Sequence, residues 1–499
     1  MANLTSLLTV GGAEDVALGV PGGATFTYRR LRELVDEASE SLAAAGVQPG
    51  MRVAMAFPNG PEAIIFFLAA ATVATACPLN PGYTETEFRY YLEDIGAQFL
   101  LVPPDDGAAA RKGRPSTARL LNAEISDDGK LRMAPTSTLP RKREREKTLP
   151  LDDDVALVLH TSGTTSRPKR VPLRHRNLAA SVENIVASYE LTPADVSLCI
   201  MPLFHVHGLV ASALAAFASG GSVVVPKQFA PLGFWPIARD VKPTWFSASP
   251  TPHQLIVMRG HEDRPPGTER LRFVRSCSAA LAPALMAVME QRFGVPVLEA
   301  YGMTEASHQM SSNPLPPGPR YPGSVGVGTG VEIAVLDEQG TALPAGATGQ
   351  VGIRGPNVID GYENNPDANA TSFINGWFLT GDQGTLDAAG YLRLLGRLKE
   401  LINRGGEKIA PREIDEALES HPAVKEAVAF GVSHPTWGEE VAAAVVVERP
   451  VTEKELQAFC RQSLADFKVP RHIYIVEAIP RTPTGKVQRR FVAEQFAPK

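Results

Sequence analysis

Hydrophobic and polar positions along the chain follow two patterns: short apolar runs, and longer stretches in which apolar residues recur three or four positions apart. The runs Arg52–Phe57 and Phe99–Val102 predict buried strands. Thr27 can cap a helix that Gly46 can end, and Pro61 opens a second helix that is apolar on all sides. The apolar face of the first helix consists of Leu31, Leu34, Val35, Ala38 and Leu42. This alternation predicts an α/β fold, in which helices cover parallel β-sheets.

The pattern changes in the second half of the chain. Short strands and frequent glycines between Gly323 and Gly361 predict a β-rich subdomain. A boundary is expected near Gly396–Lys399, which divides the chain into a large N-terminal domain of residues 1–396 and a small C-terminal domain of residues 397–499. Pro411 opens a helix in the smaller part, and the apolar runs 424–430 and 441–447 predict strands, so this domain should be α+β.

Composition narrows the class of protein. The chain has 499 residues and a net charge of 49 − 54 = −5, so a nucleic-acid partner is not expected. Its four cysteines are scattered without metal-binding spacing, which favours a reducing compartment. The most apolar run, residues 63–77, is short for a membrane span, and no signal peptide or C-terminal peroxisomal tripeptide is visible. We therefore expect a cytoplasmic protein of unknown oligomeric state.

The first chemical signal is the stretch from His160 to Arg170, which follows the apolar run Val155–Leu159 and precedes a helix that Asn177 can cap. Hydroxyls, backbone N–H groups and a lysine in such a loop can surround phosphate oxygens. The residues expected to do so are Thr161, Ser162, Gly163, Thr164, Thr165 and Lys169. The spacing is not that of a Walker A loop. The alternative is a Ser/Thr-rich surface turn.

Three further motifs follow along the chain. Glu299–Glu305 contains an aromatic ring, a hydroxyl and a carboxylate, which could stack a base and hold Mg²⁺. Gly376–Asp382 ends in a carboxylate that could accept hydrogen bonds from ribose hydroxyls. Pro483–Arg489 places Lys486 in a loop that could approach an anionic transition state. Each motif alone has a simpler explanation: a capped strand end, a turn aspartate and a solvated lysine.

Together these motifs resemble those of the adenylate-forming superfamily, which includes acyl-CoA synthetases. Its phosphate loop usually has the form T-S-G-T-T-G-x-P-K-G, and Ser166 and Arg170 stand here in place of two glycines. The resemblance implies that Tyr301 stacks on adenine, Thr304 contacts phosphate, Glu305 binds Mg²⁺ and Lys486 is catalytic. It also places at the nucleotide Glu299, Ala300, Gly302, Met303, Asp382 and Arg397, with Asp382 at the ribose and Arg397 at the ribose or a phosphate.

The same resemblance implies a two-step reaction. A carboxylate and ATP first form an acyl-adenylate, and coenzyme A then takes the acyl group. The C-terminal domain is implied to be mobile and to turn about Lys399 between the steps. The residues implied to contact coenzyme A are Arg404, Gly405 and Gly406.

The acid pocket is expected to be small and lined by hydrogen-bond donors. Ser278 stands where the superfamily usually has a smaller residue, and His205, His207 and His308 lie in neighbouring motifs. Such a pocket suits a short dianion, and these segments resemble those of the oxalate–CoA ligases of plants and fungi. Two alternatives stay open: a synthetase for another acid, such as malonate, a medium-chain acid or an aryl acid, and a nucleotide-binding protein without ligase activity. Each histidine alone could also be an ordinary core or loop residue.

Overall fold

The computed structural model describes residues 4–126, 129–135, 150–161, 168–259, 268–481, 487 and 489–496. Its strands are β1 (Val16–Gly19), β2 (Thr25–Thr27), β3 (Arg52–Met55), β4 (Thr75–Pro78), β5 (Phe99–Val102), β6 (Arg119–Ile125), β7 (Leu131–Pro135), β8 (Val155–Thr161), β9 (Lys169–Arg174), β10 (Val196–Leu198), β11 (Ser222–Val224), β12 (Trp245–Ala248), β13 (Phe273–Ser276), β14 (Val297–Met303), β15 (His308–Ser312), β16 (Val327–Gly328), β17 (Glu332–Leu336), β18 (Thr348–Arg354), β19 (Phe373–Ile374), β20 (Trp377–Leu386), β21 (Leu392–Arg397), β22 (Ile402–Arg404), β23 (Glu407–Ile409), β24 (Val424–His434), β25 (Gly438–Val447) and β26 (His472–Ile475).

The α-helices of the same residues are α1 (Tyr28–Ala44), α2 (Pro61–Val73), α3 (Glu85–Asp94), α4 (Ala108–Gly113), α5 (His175–Ser188), α6 (Ala215–Ala218), α7 (Phe234–Val241), α8 (Pro250–Arg259), α9 (Pro283–Phe293), α10 (Pro366–Ser372), α11 (Pro411–Glu419), α12 (Glu453–Cys460) and α13 (Arg489–Phe496). A π-helical segment, His207–Leu214, runs directly into α6.

Two mainly parallel sheets form the larger part of the fold. One has the strand order β16-β15-β14-β13-β12-β10-β11-β1-β2, and the other has the order β7-β6-β5-β3-β4-β8-β9. The strands from β14 to β1 are parallel, as are β6, β5, β3, β4 and β8, while the edge strands are antiparallel. The predicted α/β fold with helix-covered parallel sheets is confirmed.

The predicted helices follow their local signals. The hydroxyl of Thr27 accepts a hydrogen bond from the backbone of Arg30 and caps α1. The apolar helix α2 is buried along most of its length and packs against α1. It has 13 residues, and no helix of the described ranges combines the length and the apolar character that a membrane crossing requires.

One local prediction is wrong. The phosphate-loop stretch does not lead straight into a helix, because β9 pairs antiparallel with β8 before the chain enters α5. Val171 and Leu173 are buried while their neighbours are partly exposed, and this period of two is typical of a strand. Asn177 is therefore not the cap residue. It lies in the first turn of α5 and accepts a hydrogen bond from the backbone N–H of Arg174 at 3.0 Å.

Two smaller sheets complete the fold; the first is antiparallel, and the second is antiparallel except for the parallel pair β25–β26. Strands β17, β18, β19, β20 and β21 form the predicted β-rich unit. After β21, a single 3₁₀ turn, Leu398–Glu400, leads to β22, which belongs to a separate sheet of β22 to β26. Lys399 thus lies in the turn that connects the two sheets. Arg412 of α11 connects this sheet to the β-rich unit by donating a hydrogen bond to the carbonyl of Leu394 in β21 at 3.1 Å.

Candidate active site

A hairpin brings the main motifs together. Strand β14 ends at Met303, the 3₁₀ turn Thr304–Ala306 follows, and β15 returns antiparallel from His308. Met303 and His308 are register partners. The motif Glu299–Glu305 and one residue expected to bind the acid therefore lie on the same hairpin, at the end of the parallel sheet.

Tyr301, Asp382 and Arg397 form the first cluster of this site. The hydroxyl of Tyr301 donates to the Asp382 carboxylate, and Arg397 Nε lies 2.7 Å from Asp382 Oδ1. Asp382 and Arg397 are register partners on β20 and β21, and Arg397 also donates to the carbonyl of Thr380 at 3.2 Å. Burial, and then the Asp382 carboxylate, raise the pKa of Tyr301 well above its usual value, so its hydroxyl remains a donor.

A second cluster surrounds Glu305, which is buried. Tyr362 donates its hydroxyl to Glu305 Oε1 at 2.8 Å, and Lys169 Nζ lies 4.2 Å from the centre of the Tyr362 ring. Burial lowers the pKa of Lys169, Glu305 raises it, and Lys399 lowers it, so these three charges lie close enough to interact. Thr161 pairs with Lys169 across the β8–β9 hairpin. We call Tyr301, Asp382, Arg397, Glu305 and Lys169 the nucleotide region.

Arg170 is accounted for by the strand that contains it. It lies in β9 opposite His160, and its Nε is 3.7 Å from Asp94 Oδ2 and 3.8 Å from Glu363 Oε2. His160 Nε2 contacts the same Asp94 oxygen at 2.9 Å. The arginine in place of the family's glycine therefore sits in extended backbone, against two carboxylates.

Three of the four residues predicted to bind the acid lie together. His207 Nδ1 is 2.9 Å from Ser278 Oγ, and the His207 and His308 rings are 5.1 Å apart. His205 packs its ring against Phe204, 4.9 Å away. The ring of His207 is anchored on its other side by Ser247, whose Oγ is 2.6 Å from Nε2.

Arg275 lies at the centre of this group and was not predicted. It is fully buried on β13, where Ser247 of β12 is its register partner. Its guanidinium donates to Tyr189 Oη at 2.8 Å, to Ser247 Oγ at 2.9 Å and to Gln309 Oε1 at 3.0 Å. It also contacts His308 Nδ1 at 3.3 Å, His207 Nε2 at 3.5 Å and the thiol of Cys277. We call His207, Arg275, Ser278 and His308 the acid region.

The backbone of the acid region is held in an uncommon conformation. Ser278, Ser307 and His308 have φ angles of 75°, 52° and 119°. Non-glycine residues with such angles cost free energy and persist mainly at functional sites. A Cβ on Gly302 would lie 2.1 Å from the His308 carbonyl oxygen, so the glycine allows the close approach of β14 and β15.

Three further predicted residues, Glu299, Ala300 and Thr304, belong to β14 or to the turn that follows it. Ala300 and Glu299 are buried in β14, and the Glu299 Oε1 accepts from the backbone of Leu281 at 3.1 Å. Thr304 lies in the turn before Glu305. Ser162, Gly163, Thr164, Thr165, Ser166 and Lys486 lie outside the described residues.

One of the three predicted coenzyme A residues, Arg404, lines a cavity on the smaller unit. Arg404, Gly405 and Gly406 form the turn between β22 and β23, and Arg404 Nε is 2.6 Å from Glu440 Oε1. The Arg404 guanidinium also lies 5.2 Å from the centre of the Trp437 ring. The cavity has a volume of about 640 Å³, and its lining includes Arg404, Trp437, Arg461, Arg471, His472 and Tyr474.

Three residues of the site escaped prediction for different reasons. Arg275 directly follows the apolar pair Phe273–Val274, and a charged residue beside buried apolar residues could have indicated a buried charge. Thr380 belongs to the Gly376–Asp382 motif, where only the aspartate was chosen. Tyr362 follows the β-rich segment with no motif around it, so only the fold brings its hydroxyl to Glu305.

Comparison with known proteins places this site in a family. The family model described as AMP-binding enzyme matches residues 11–363, which is more than half of the chain, and the model of its C-terminal domain matches residues 413–486. The chain belongs to the AMP-binding enzyme family. Lys169, Tyr301 and Glu305 of the nucleotide region lie within the larger match, and Asp382 and Arg397 lie between the two matches.

Individual members of the family match along nearly the whole chain. It is 48% identical to an oxalate–CoA ligase of Arabidopsis thaliana, covering 97% of this chain and 96% of that relative. It is 45% identical to an oxalate–CoA ligase of Saccharomyces cerevisiae, covering 89% and 87%. The solved structure of ATP-bound MatB from Rhodopseudomonas palustris superposes with a TM-score of 0.88 at 31% identity, covering 99% of both chains.

Proposed function

We propose that this protein is an ATP-dependent acid–CoA ligase that converts oxalate, ATP and coenzyme A into oxalyl-CoA, AMP and diphosphate. The observation that carries the proposal is the acid region, where a buried arginine lies among three hydrogen-bonding side chains. One of these side chains, His308, shares the β14–β15 hairpin with Tyr301 and Glu305 of the nucleotide region. Two of the similar relatives are oxalate–CoA ligases. The proposal assigns the same acid to this chain.

In the first half-reaction, one carboxylate of oxalate attacks the α-phosphorus of ATP and diphosphate leaves. We assign Asp382 to the ribose hydroxyls, because its carboxylate is fixed by Arg397 and Tyr301. The ring of Tyr301 is assigned to adenine, and Lys169 to the phosphates. The chain's contribution is mainly to position the reactants and to stabilise developing charge.

The residues of the nucleotide region also fit a magnesium ion. Magnesium commonly uses one or two carboxylates together with substrate phosphates and water. Glu305 is a buried carboxylate close to Lys169, with Thr304 beside it. When bound, the ion would neutralise phosphate charge.

The acid region suits a small dianion for reasons of charge and hydrogen bonding. One carboxylate of oxalate reacts, so the other must be held by donors. Ser278 and His308 can supply such donors, and Arg275 supplies a positive charge behind them. A long aliphatic chain would gain nothing from buried polar groups that it leaves unpaired.

In the second half-reaction, the thiol of coenzyme A attacks the oxalyl carbonyl carbon of the mixed anhydride, and AMP leaves. We assign coenzyme A to the cavity beside Arg404, Gly405 and Gly406. We propose that residues 397–499 form a mobile domain that turns about Lys399 and moves Lys486 away before this step. The turn at Lys399 joins two separate sheets, which supports a hinge there.

We also propose a cytoplasmic location and small-molecule partners. Cys77, Cys199, Cys277 and Cys460 are all buried and unpaired as disulfides, as expected in a reducing compartment. The net charge of −5 gives no support to a nucleic-acid partner. Fractionation of cells that express a tagged chain tests the location.

The reaction is tested by product analysis. Purified protein with oxalate, ATP, Mg²⁺ and coenzyme A should yield oxalyl-CoA, identified by mass spectrometry, together with equal amounts of AMP and diphosphate. Omission of coenzyme A should stop AMP release but permit a burst of diphosphate. Formation of ADP, or AMP release without oxalyl-CoA, would contradict the proposal.

A further inference from the structure

Arg275 is a buried cation whose partners in the described structure are all neutral. It is 0% exposed, and its acceptors include a phenol, a hydroxyl, an amide oxygen, two imidazole nitrogens and the sulfur of Cys277. A buried charge is normally compensated by an opposite charge. Four contacts of Arg275 are with residues of the acid region or with their neighbours: His207, His308, Ser247 and Gln309.

The guanidinium fixes the protonation of His308. A guanidinium has only donors, and its Nη2 lies 3.3 Å from His308 Nδ1. Nδ1 must therefore accept, because an N–H at that position would face another N–H. The proton of the neutral ring then lies on Nε2, and His308 becomes a donor through Nε2.

A longer chain of hydrogen bonds fixes His207 and Ser278. Ser247 Oγ accepts from Arg275 Nη1 at 2.9 Å, so its own proton can be donated to His207 Nε2 at 2.6 Å. His207 then carries its proton on Nδ1 and donates it to Ser278 Oγ at 2.9 Å. Since Ser278 accepts from His207, its hydroxyl proton is available to a ligand oxygen. Each bond polarises the next.

We propose that Arg275 is a positioning residue that orients His308 and, through Ser247 and His207, Ser278 as hydrogen-bond donors toward the second carboxylate of the acid substrate. The proposal rests on the proposed function for the nature of that acid. Arg275 does not touch the acid in this scheme. It sets the tautomers of both imidazoles and contributes the positive charge that a dianion requires.

A purely structural role for Arg275 would make a different prediction. Its Nε contact with Tyr189 ties β13 to the end of α5, away from the imidazoles. If Arg275 only joined these elements, removal of the Tyr189 hydroxyl would reproduce part of the effect. Tyr189→Phe is therefore the matched control for variants of Arg275.

The tautomers can be measured directly in the free full-length enzyme. Protein labelled with ¹⁵N-histidine is examined by long-range ¹H–¹⁵N NMR, and the two rings are assigned with His207→Gln and His308→Gln. The wild type should show His207 protonated on Nδ1 and His308 on Nε2. The opposite tautomer in either ring, or a doubly protonated ring at pH 7.5, would overturn the proposal. This measurement needs no variant of Arg275 to fold.

Kinetics and the same spectra of Arg275→Met and Arg275→Lys complete the test. We expect kcat/KM for oxalate to fall about 100-fold in Arg275→Met, with the KM for ATP changed less than about threefold, and the fixed tautomers to be lost. Arg275→Lys should recover part of the oxalate activity, and Tyr189→Phe should keep both tautomers and most of the activity. Tautomers that persist in Arg275→Met overturn the positioning role. Correct tautomers in an enzyme that does not use oxalate overturn only the choice of acid.

Discussion

In the nucleotide region, each buried carboxylate lies close to a cation of the same chain, whereas in the acid region the buried cation has no carboxylate among its partners in the part of the chain that the structure describes. Asp382 lies 2.7 Å from Arg397, and Glu305 interacts with Lys169. Arg275 has hydroxyl, amide and imidazole partners instead. The difference shows which part of the site has its charge balanced by the chain and which part leaves a positive charge to the ligand.

This contrast separates two kinds of recognition. The nucleotide region consists of preformed ion pairs, which suits a ligand held by its ribose and base. The acid region stores an excess positive charge in a buried place, which favours an anionic ligand over a neutral one. Changes in the first region should therefore affect every acid equally, and changes in the second should alter the choice of acid.

The largest effect is expected from a lysine outside both regions. Lys486→Ala should reduce adenylate formation about 10³-fold, because the charge of the transition state loses its cation. It should spare the transfer of a supplied acyl-adenylate to coenzyme A. Diphosphate release and thioester formation are measured separately, with Lys454→Ala, an exposed lysine of α12, as the control. Diphosphate release at the wild-type rate would refute the role of Lys486.

The next effect tests the nucleotide region. Asp382→Ala removes the carboxylate that Arg397 and Tyr301 hold, and kcat/KM for ATP should fall about 100-fold. The ratio of activities on oxalate and acetate should stay as in the wild type. A change in that ratio comparable to the loss in ATP use would contradict the separation of the two regions.

A smaller effect is expected in the acid region. Ser278→Ala and His308→Ala should each lower kcat/KM for oxalate by about tenfold to 100-fold, since each removes one donor to a charged acceptor. Ser278→Gly also lacks the hydroxyl but relieves the φ of 75°, so it should be the more stable of the two serine variants and equally impaired on oxalate. Full oxalate activity in all three variants would show that the pocket lies elsewhere.

The smallest effect concerns stability. Burial raises the pKa of Glu299 to about 7, while Arg412 lowers it. The folded state then keeps a proton that the unfolded chain loses near pH 4, so wild-type stability should fall as the pH rises from about 4 to 7. Glu299→Gln cannot ionise there, so its Tm relative to the wild type should increase between pH 5 and pH 8. A pH-independent Tm difference would contradict this prediction.

Local signals explain what the sequence could predict of the fold. The cap at Thr27, the proline at the start of α2 and the spacing of apolar residues act within one helix, and these elements appear as expected. Strand β9 was not predicted because its alternation of buried and partly exposed residues is short and directly follows the Ser/Thr-rich loop motif. Its pairing with β8 is a tertiary contact, which the loop motif alone does not predict.

The candidate site divides in the same way. Tyr301, Glu305, Asp382, His207 and His308 could be selected from the sequence because each belongs to a short motif of consecutive residues. Arg275 became interpretable only when α5, β12 and β15 surrounded it, since its partners come from segments up to 86 residues away. The role of Arg275 depends on which side chains surround it, and no local sequence pattern specifies those side chains.

The choice of acid by the wild-type enzyme is the most direct test of the account. The measurement is kcat/KM for oxalate, malonate, acetate and octanoate, at saturating ATP and coenzyme A, with each acyl-CoA identified by mass. The account predicts that oxalate is preferred over acetate and octanoate by about 100-fold or more, because only a second carboxylate uses the charge and donors of the acid region. Equal use of oxalate and acetate, or a preference for octanoate, would contradict it.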